Sequence, residues 1–479
     1  MKVLISISLI GSWFLLFPQK LVNAHGFGER YDLPVPLSLY LFGAALAVFI
    51  SFLILGIFAR GELKTYSFPT INLLRFRYTR LLFNQFIMGI LKAVGVLALI
   101  LMVVAGFYGS DDPNKNIAPT LTWIIFWVGI PFISILLGDI WRILNPWKTI
   151  YELVDKLFGT FNLRRLKHKS TYPDRLGSWP AVLFFGVFSW TELVDPDGIE
   201  PSKLAVLWFI YSLITFAGMV LYGKESWIKN AEFFSIIFTF FSRLSPLNSR
   251  NKEILNLRPW GLGLIEQESQ PRGQSFLLIF ILSTVTFDGF KETELWVNVV
   301  NSLQDWLSIF NSNIFLVAGS VGIVFAPLIF LLLFWITCLV SRGISRTRQS
   351  TFKLLKLYAV SLIPIAAAYH IAHYFSYLLI QGQLIIPLIS DPFGFEWDLF
   401  GTIDYKINIA LVNAKLAWLV GLISIIIGHV MAVVTAHIIA IRYIERREMA
   451  LRSQYPVLLL MVGYTILSLW ILAQPLIAH

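Results

Sequence analysis

Apolar residues in this chain neither alternate nor recur at helical spacing. They run in long unbroken blocks separated by short polar stretches. Ten such blocks cover about residues 35–58, 86–108, 119–138, 179–194, 203–222, 274–290, 313–340, 357–380, 416–440 and 455–475. Crossing the hydrocarbon core takes about 20 apolar residues in a helix. Inside lipid a backbone must satisfy its own hydrogen bonds, so each block is expected to be helical. The strands of a membrane barrel would alternate apolar and polar positions, and these blocks do not. The predicted fold is an all-α polytopic transmembrane bundle of about ten spans. Residues 1–24 precede it: Lys2, an apolar run, Pro18 and a small-residue end at Ala24, which is the pattern of a secretory signal. Residues 25–479 are then read as one transmembrane domain.

Composition agrees with that pattern. The chain is 57% hydrophobic and 14% charged, too little charge to cover a water-facing surface. A net charge of +10 raises the question of nucleic acid, but the basic residues lie between the spans and not on one soluble face, which excludes it. Their distribution predicts orientation instead. Loops 59–85, 139–178, 223–275, 341–356 and 441–454 hold 29 Lys and Arg, whereas the alternate set holds 6. The basic loops are therefore expected in the cytoplasm, with both mature termini on the outer or periplasmic side of a plasma (inner) membrane and the bilayer as principal partner. Within loop 223–275, the short apolar stretch 228–244 is expected to lie in the membrane interface. Trp141 and Trp147 are expected at headgroup level. Cys338 stands alone, which leaves no disulfide or CxxC motif.

Ionisable groups inside spans are costly and mark functional sites. Four of the seven histidines fall in the eighth and ninth blocks: His370 and His373 in AAAYHIAHYFSY, His429 and His437 in IIGHVMAVVTAHII. An i, i+3 pair shares a helical face. At 1.5 Å per residue His373 lies about 4–5 Å outward of His370, and His437 about 12 Å inward of His429. His370, His373 and His429 thus form a candidate metal set, because neutral imidazole binds zinc, copper and iron. Zinc or copper is the expected ion, with a bis-histidine haem as the alternative. The competing reading is that these histidines hydrogen-bond neighbouring groups and lock two helices together. Glu192 and Asp195 close the fourth block and Asp288 the sixth. Glu192 and Asp288 are candidate ligands or a catalytic general base, set against a plain helix-end role at the water boundary. Asp139 is expected to pair with Arg142 or another basic loop residue. His25, were it the first mature residue, would offer its amine and imidazole to copper. There is no GxSxG, Walker, HExxH or Rossmann pattern. Pro131, Pro327 and Pro364 interrupt spans without forming a matched pair of broken helices.

Several stretches carry a resemblance: AHGFGERYDLPVPL (24–37), GDIWRILNPWKTIY (138–151), TFDGF…LW (286–296), AYHIAHYFSYLLIQGQ (368–383), GHVMAVVTAH (428–437) and LRSQYPVLLLMVGYT (451–465). They resemble a family of bacterial integral membrane proteins that carries the name fenitrothion hydrolase. The resemblance implies hydrolysis of an organophosphate triester at the membrane, and it brings no assigned catalytic residue. A bound metal would fit such chemistry by acidifying its water and polarising a phosphoryl oxygen. Three functions remain open at this point: a metal-dependent membrane hydrolase, a transporter or permease relaying protons or metal ions through the same histidines, and a non-catalytic subunit of a membrane complex.

Overall fold

A computed structural model describes residues 24–25, 30–31, 34–58, 69–82, 84–160, 170–251, 254–266, 270–303 and 313–474. The expected signal sequence lies outside these residues. All ten apolar blocks are helical: α1 (Leu37–Phe58), α2 (Gln85–Tyr108), α3 (Ile117–Leu137), α5 (Trp179–Leu193), α6 (Pro201–Tyr222), α9 (Gln274–Lys291), α10 (Ile314–Ser345), α11 (Thr351–Ser390), α12 (Ala414–Tyr443) and α13 (Arg447–Leu472). Between them stand α4 (Pro146–Thr160), α7 (Lys224–Asn230) and α8 (Phe233–Ser242). Eight of these helices are long and apolar enough to cross a membrane, and the protein is a multi-pass helical membrane protein. The two blocks outside that set are α5 and α9. They are the short ones, and each carries an acid in its last turn: Glu192 and Asp288.

Contacts between loops show that α5 and α9 nonetheless cross the bundle. The five basic loops meet on one face. Ile71–Asn72 pairs with Ile254–Leu257, which pairs with Leu247–Asn251. Arg142 Nη1 donates to the Ser249 carbonyl and Arg442 Nη1 to that of Ile265. Thr347 Oγ1 donates to Glu445. On the opposite face Ser110 and Ile117 N–H groups bond the Phe393 and Pro392 carbonyls, and Lys291 Nζ bonds the carbonyl of Leu193. Pro201 abuts Gly106 near the end of α2 that leads to 109–118, which puts 195–203 opposite the basic loops, so the 15 residues of α5, about 22 Å of helix, bridge the two faces.

Helix α11 is the axis of the bundle. Its stretch 357–374 is almost wholly buried, whereas α1 and α2 expose most of their apolar surface, as lipid-facing helices do. Helix α11 is also irregular. Pro364 cannot donate to a helical ladder, and the turn before it, Val360–Leu362, tightens to a 3₁₀ helix; Gly382–Leu384 does so again. Helix α3 is irregular as well, with Thr120–Gly129 in π-helical register, a form that concentrates at functional sites.

Stretch 228–244 does not lie in the interface. Helix α8 buries Phe233, Phe234, Ile236, Ile237, Phe238, Phe240 and Phe241, leaving no face for headgroups. Helix α7 folds back along α6, with Trp227 so close to Gly218 that a β-carbon there would sit 2.2 Å from the indole. Helices α7 and α8 thus form a hairpin inserted into the bundle, and a hairpin that returns to its own side leaves the loop count unchanged. Trp141 and Trp147 are likewise buried inside the protein and present no ring to headgroups. The chain turns at Gly138 (φ 92°) and re-enters the bundle, where Trp147 Nε1 donates to Ser212 Oγ at 2.8 Å. Asp139 accepts from the backbone N–H of Arg142 and from Thr239 Oγ1, not from the guanidinium.

Amphipathic helix α4 is tied to this face through Glu152, which accepts from Lys92 Nζ at 2.8 Å and Lys224 Nζ at 2.9 Å. Partial burial works to raise the Glu152 carboxyl, but the two ammonium groups outweigh it and hold the group below its ordinary value. A depressed acid contributes stability above its unfolded pKa of about 4.3, and that stability is lost as pH falls through the lower folded value. Glu152→Gln is expected to cost about 1 kcal/mol at neutral pH. Thermal unfolding of both proteins should show the difference closing below about pH 4; an unchanged difference in acid would refute the assignment.

Candidate functional site

The last turns of α5 and α9 and the middle of α11 bring five of the expected or neighbouring polar residues into one network. His373 Nε2 donates to Asp288 Oδ2 at 2.8 Å. The Tyr374 hydroxyl lies 3.2 Å from the same Asp288 oxygen and 3.2 Å from Glu192 Oε1, so it links the two carboxylates. Lys291, one turn beyond Asp288, reaches Asp288 Oδ1 at 3.3 Å. Tyr374 and Asp288 are buried, and the His373 side chain keeps 22% of its surface open.

Helix geometry explains the convergence and also its cost. Adjacent residues on α11 point about 100° apart, which lets His373 face α9 while Tyr374 reaches both α9 and α5. Glu192 and Asp288 occupy the last turns of their helices, where the dipole disfavours negative charge. Caps that serve structure alone place acids at the opposite end. Here the unfavourable position is offset by His373, Lys291 and the Tyr374 hydroxyl. Close packing leaves little slack, since a β-carbon on Gly289 would lie 2.7 Å from Ile471 and 3.2 Å from the Tyr369 hydroxyl.

The other expected residues go elsewhere. His370 is buried among Trp127, Phe132, Phe241 and Tyr374, and its Nε2 contacts the Val128 carbonyl in the π-helical stretch at 3.3 Å. His429 turns back on its own helix, Nδ1 to the Ile425 carbonyl at 2.8 Å, leaving a buried Nε2 without a partner. His437 pairs with Gln454 at 2.9 Å. Asp195 is held by Lys203 at 2.7 Å. The expected convergence of His370, His373 and His429 on one ion is not formed, and among the described residues no group of three or more His, Cys, Asp or Glu side chains is arranged to hold a metal ion. A zinc site takes three or four protein donors, whereas His429 offers one nitrogen and His373 already serves Asp288. The backbone of Ala24–His25 pairs antiparallel with Arg30–Tyr31, and the His25 imidazole lies outside the described side chains.

Tyr374 and Lys291 escaped the reading of the sequence. Lys291 was legible in principle, three residues from Asp288. Tyr374 was hidden among the four tyrosines and phenylalanines of AYHIAHYFSY. No protein-family model, curated protein or solved structure matches this chain.

Proposed function

We propose that the protein is a proton-translocating permease and that His373, Asp288, Tyr374 and Glu192 form its outer proton-handling site. The observation that carries this reading is the linked pair of carboxylates: Tyr374 bridges Asp288 to Glu192 while His373 bonds Asp288 at 2.8 Å. Groups that donate and accept in one chain can pass a proton by exchanging roles. Intramembrane acids and histidines mark such relays. The setting supports the same reading, since helices that depart from regular α geometry concentrate at functional sites, and here α11 tightens to 3₁₀ turns twice, α3 is π-helical and α8 is a half-length helix. With the 29 basic residues inside, the network opens outward.

Purified protein in liposomes with a trapped pH dye tests this under a potassium diffusion potential. Lumenal pH is expected to change faster than in protein-free vesicles, and identical traces would end the proposal. A second reading rests on the Asp288–His373 pair alone, because a carboxylate that orients an imidazole is the arrangement of a general base. It belongs with the organophosphate hydrolysis implied by the sequence resemblance. Turnover of a chromogenic dialkyl aryl phosphate that disappears in His373→Ala would favour it.

A further inference from the structure

A second buried acid lies deeper in the bundle, and the outer network does not use it. Glu232 sits at the tip of the α7–α8 hairpin, fully buried. Its Oε1 accepts from the Tyr211 hydroxyl at 2.9 Å, and Tyr211 stands midway along α6. The same carboxylate accepts from the backbone N–H of Phe234 and of Ser235, both at 3.0 Å, from Asn145 Nδ2 at 3.2 Å and from Trp141 Nε1 at 3.4 Å, and it contacts Ser235 Oγ. Among the described residues no Lys, Arg or His pairs with it. Glu192 on α5, His370 on α11, Asp139 and Arg142 beside α8, and Lys224, Glu225 and Lys229 on α7 make no hydrogen bond or ion pair to it.

A helix cap explains only part of this. Capping takes one short acceptor for the first free N–H groups, and Ser, Asn or Asp supplies it. Glu232 gathers four side-chain donors besides, in a place where an uncompensated charge is expensive. Two of those donors, Tyr211 and Ser235, are hydroxyls that can turn and accept once the carboxyl is protonated. One turn along the same face of α6, the buried Thr215 hydroxyl stands beside Tyr211, which places one more polar group within reach of that hydroxyl. Between Glu232 and Glu192 stands an aromatic layer: Phe234 packs on Phe188 at 5.3 Å, and Phe188 on Trp127 at 4.8 Å. Trp127 lies beside Glu192. The π-helical stretch supplies both Trp127 and Phe126, and Phe126 closes on Phe234 at 4.6 Å.

We infer that Glu232 is a second proton-carrying group, loaded from the basic-loop side, with the Phe188–Phe234–Trp127 layer as the barrier between it and Glu192. This rests on the permease reading. The loading step adds one proton to the carboxylate and reverses one hydroxyl; release undoes both.

Glu232→Gln keeps an acceptor for the cap and removes the ionisable group. It is expected to slow dye-reported proton flux about a hundredfold or more, while Gln flux equal to wild type would reduce Glu232 to a cap and overturn the inference. Infrared titration of purified protein gives an independent readout. On acidification from about pH 9 to about pH 5, a protonated-carboxyl carbonyl band is expected that Glu232→Gln lacks. Should Gln prevent folding, Tyr211→Phe is expected to shift that band, and an unshifted band overturns the inference. If wild-type protein moves no protons, the permease reading falls, and the infrared band still decides whether Glu232 titrates.

Discussion

Asp288→Asn is expected to lower proton flux about a hundredfold or more and to destabilise the protein at the same time. Three groups face this one side chain: His373 Nε2, the Tyr374 hydroxyl and Lys291 Nζ. All can donate to a carboxylate with two acceptor oxygens. An asparagine has one acceptor and an NH₂ group, so at least one donor would meet another donor. Breaking a buried ion pair from one side costs about 3–5 kcal/mol. With 12–23% of the Asp288, His373 and Lys291 side chains open to screening, about 2–3 kcal/mol is the reasonable expectation. Unfolding in detergent reads the stability and the trapped dye reads the flux. A folded Asp288→Asn protein with wild-type flux would remove Asp288 from the mechanism.

The comparison with Glu192→Gln separates proton handling from structure. Glutamine keeps an oxygen for the Tyr374 hydroxyl and leaves the His373–Asp288 pair untouched, so stability should change by less than about 1 kcal/mol. Flux should fall as it does for Asp288→Asn. A network whose only role is to fasten α5, α9 and α11 together would show the two effects rising and falling in step.

The ten helices were legible because hydrocarbon permits few alternatives to a long apolar helix, and loop charge then divides their ends between two faces. Depth was legible as well. A rise of 1.5 Å per residue puts His373, Asp288 and Glu192 at comparable levels, and the structure joins them. Direction around each helix axis was not legible, since it depends on which neighbour packs where. His429 is the example: its depth suits the site, yet its ring turns to the Ile425 carbonyl. The α7–α8 hairpin was misread for a related reason. A run such as EFFSIIFTFF looks the same whether lipid headgroups or other helices cover it, so Glu232 reads as part of an interfacial helix. Trp141 and Trp147 carried the same ambiguity, and their burial follows from the turn at Gly138 that sends the chain back inward.

A close seam between two central helices predicts a large, purely structural effect. Helices α11 and α12 meet through small residues spaced seven apart, Gly421 and Gly428 on α12, against Ala372 and Ala368 on α11. Close approach through small side chains is a principal source of helix association in membranes, where no hydrophobic drive distinguishes neighbour from lipid. A β-carbon at Gly428 would lie 2.3 Å from Ala368 Cβ and 2.7 Å from the Pro364 carbonyl oxygen. Neither is the free end of a flexible side chain, so the helices must part. Gly428→Val is therefore expected to cost about 3 kcal/mol or more. Separation would also move the segment after Pro364, which carries His370 and His373, so flux should fall even in the protein that remains folded. Gly463→Ala is the control: nothing lies within 4 Å of its β-carbon position, and alanine is the better helix former by about 1 kcal/mol. Unfolding temperatures in one detergent should place Gly428→Val well below wild type and Gly463→Ala level with it or above. Equal temperatures for the three would mean that the α11–α12 contact is looser than this seam requires, and that the position of His373 is set by α9 rather than by α12.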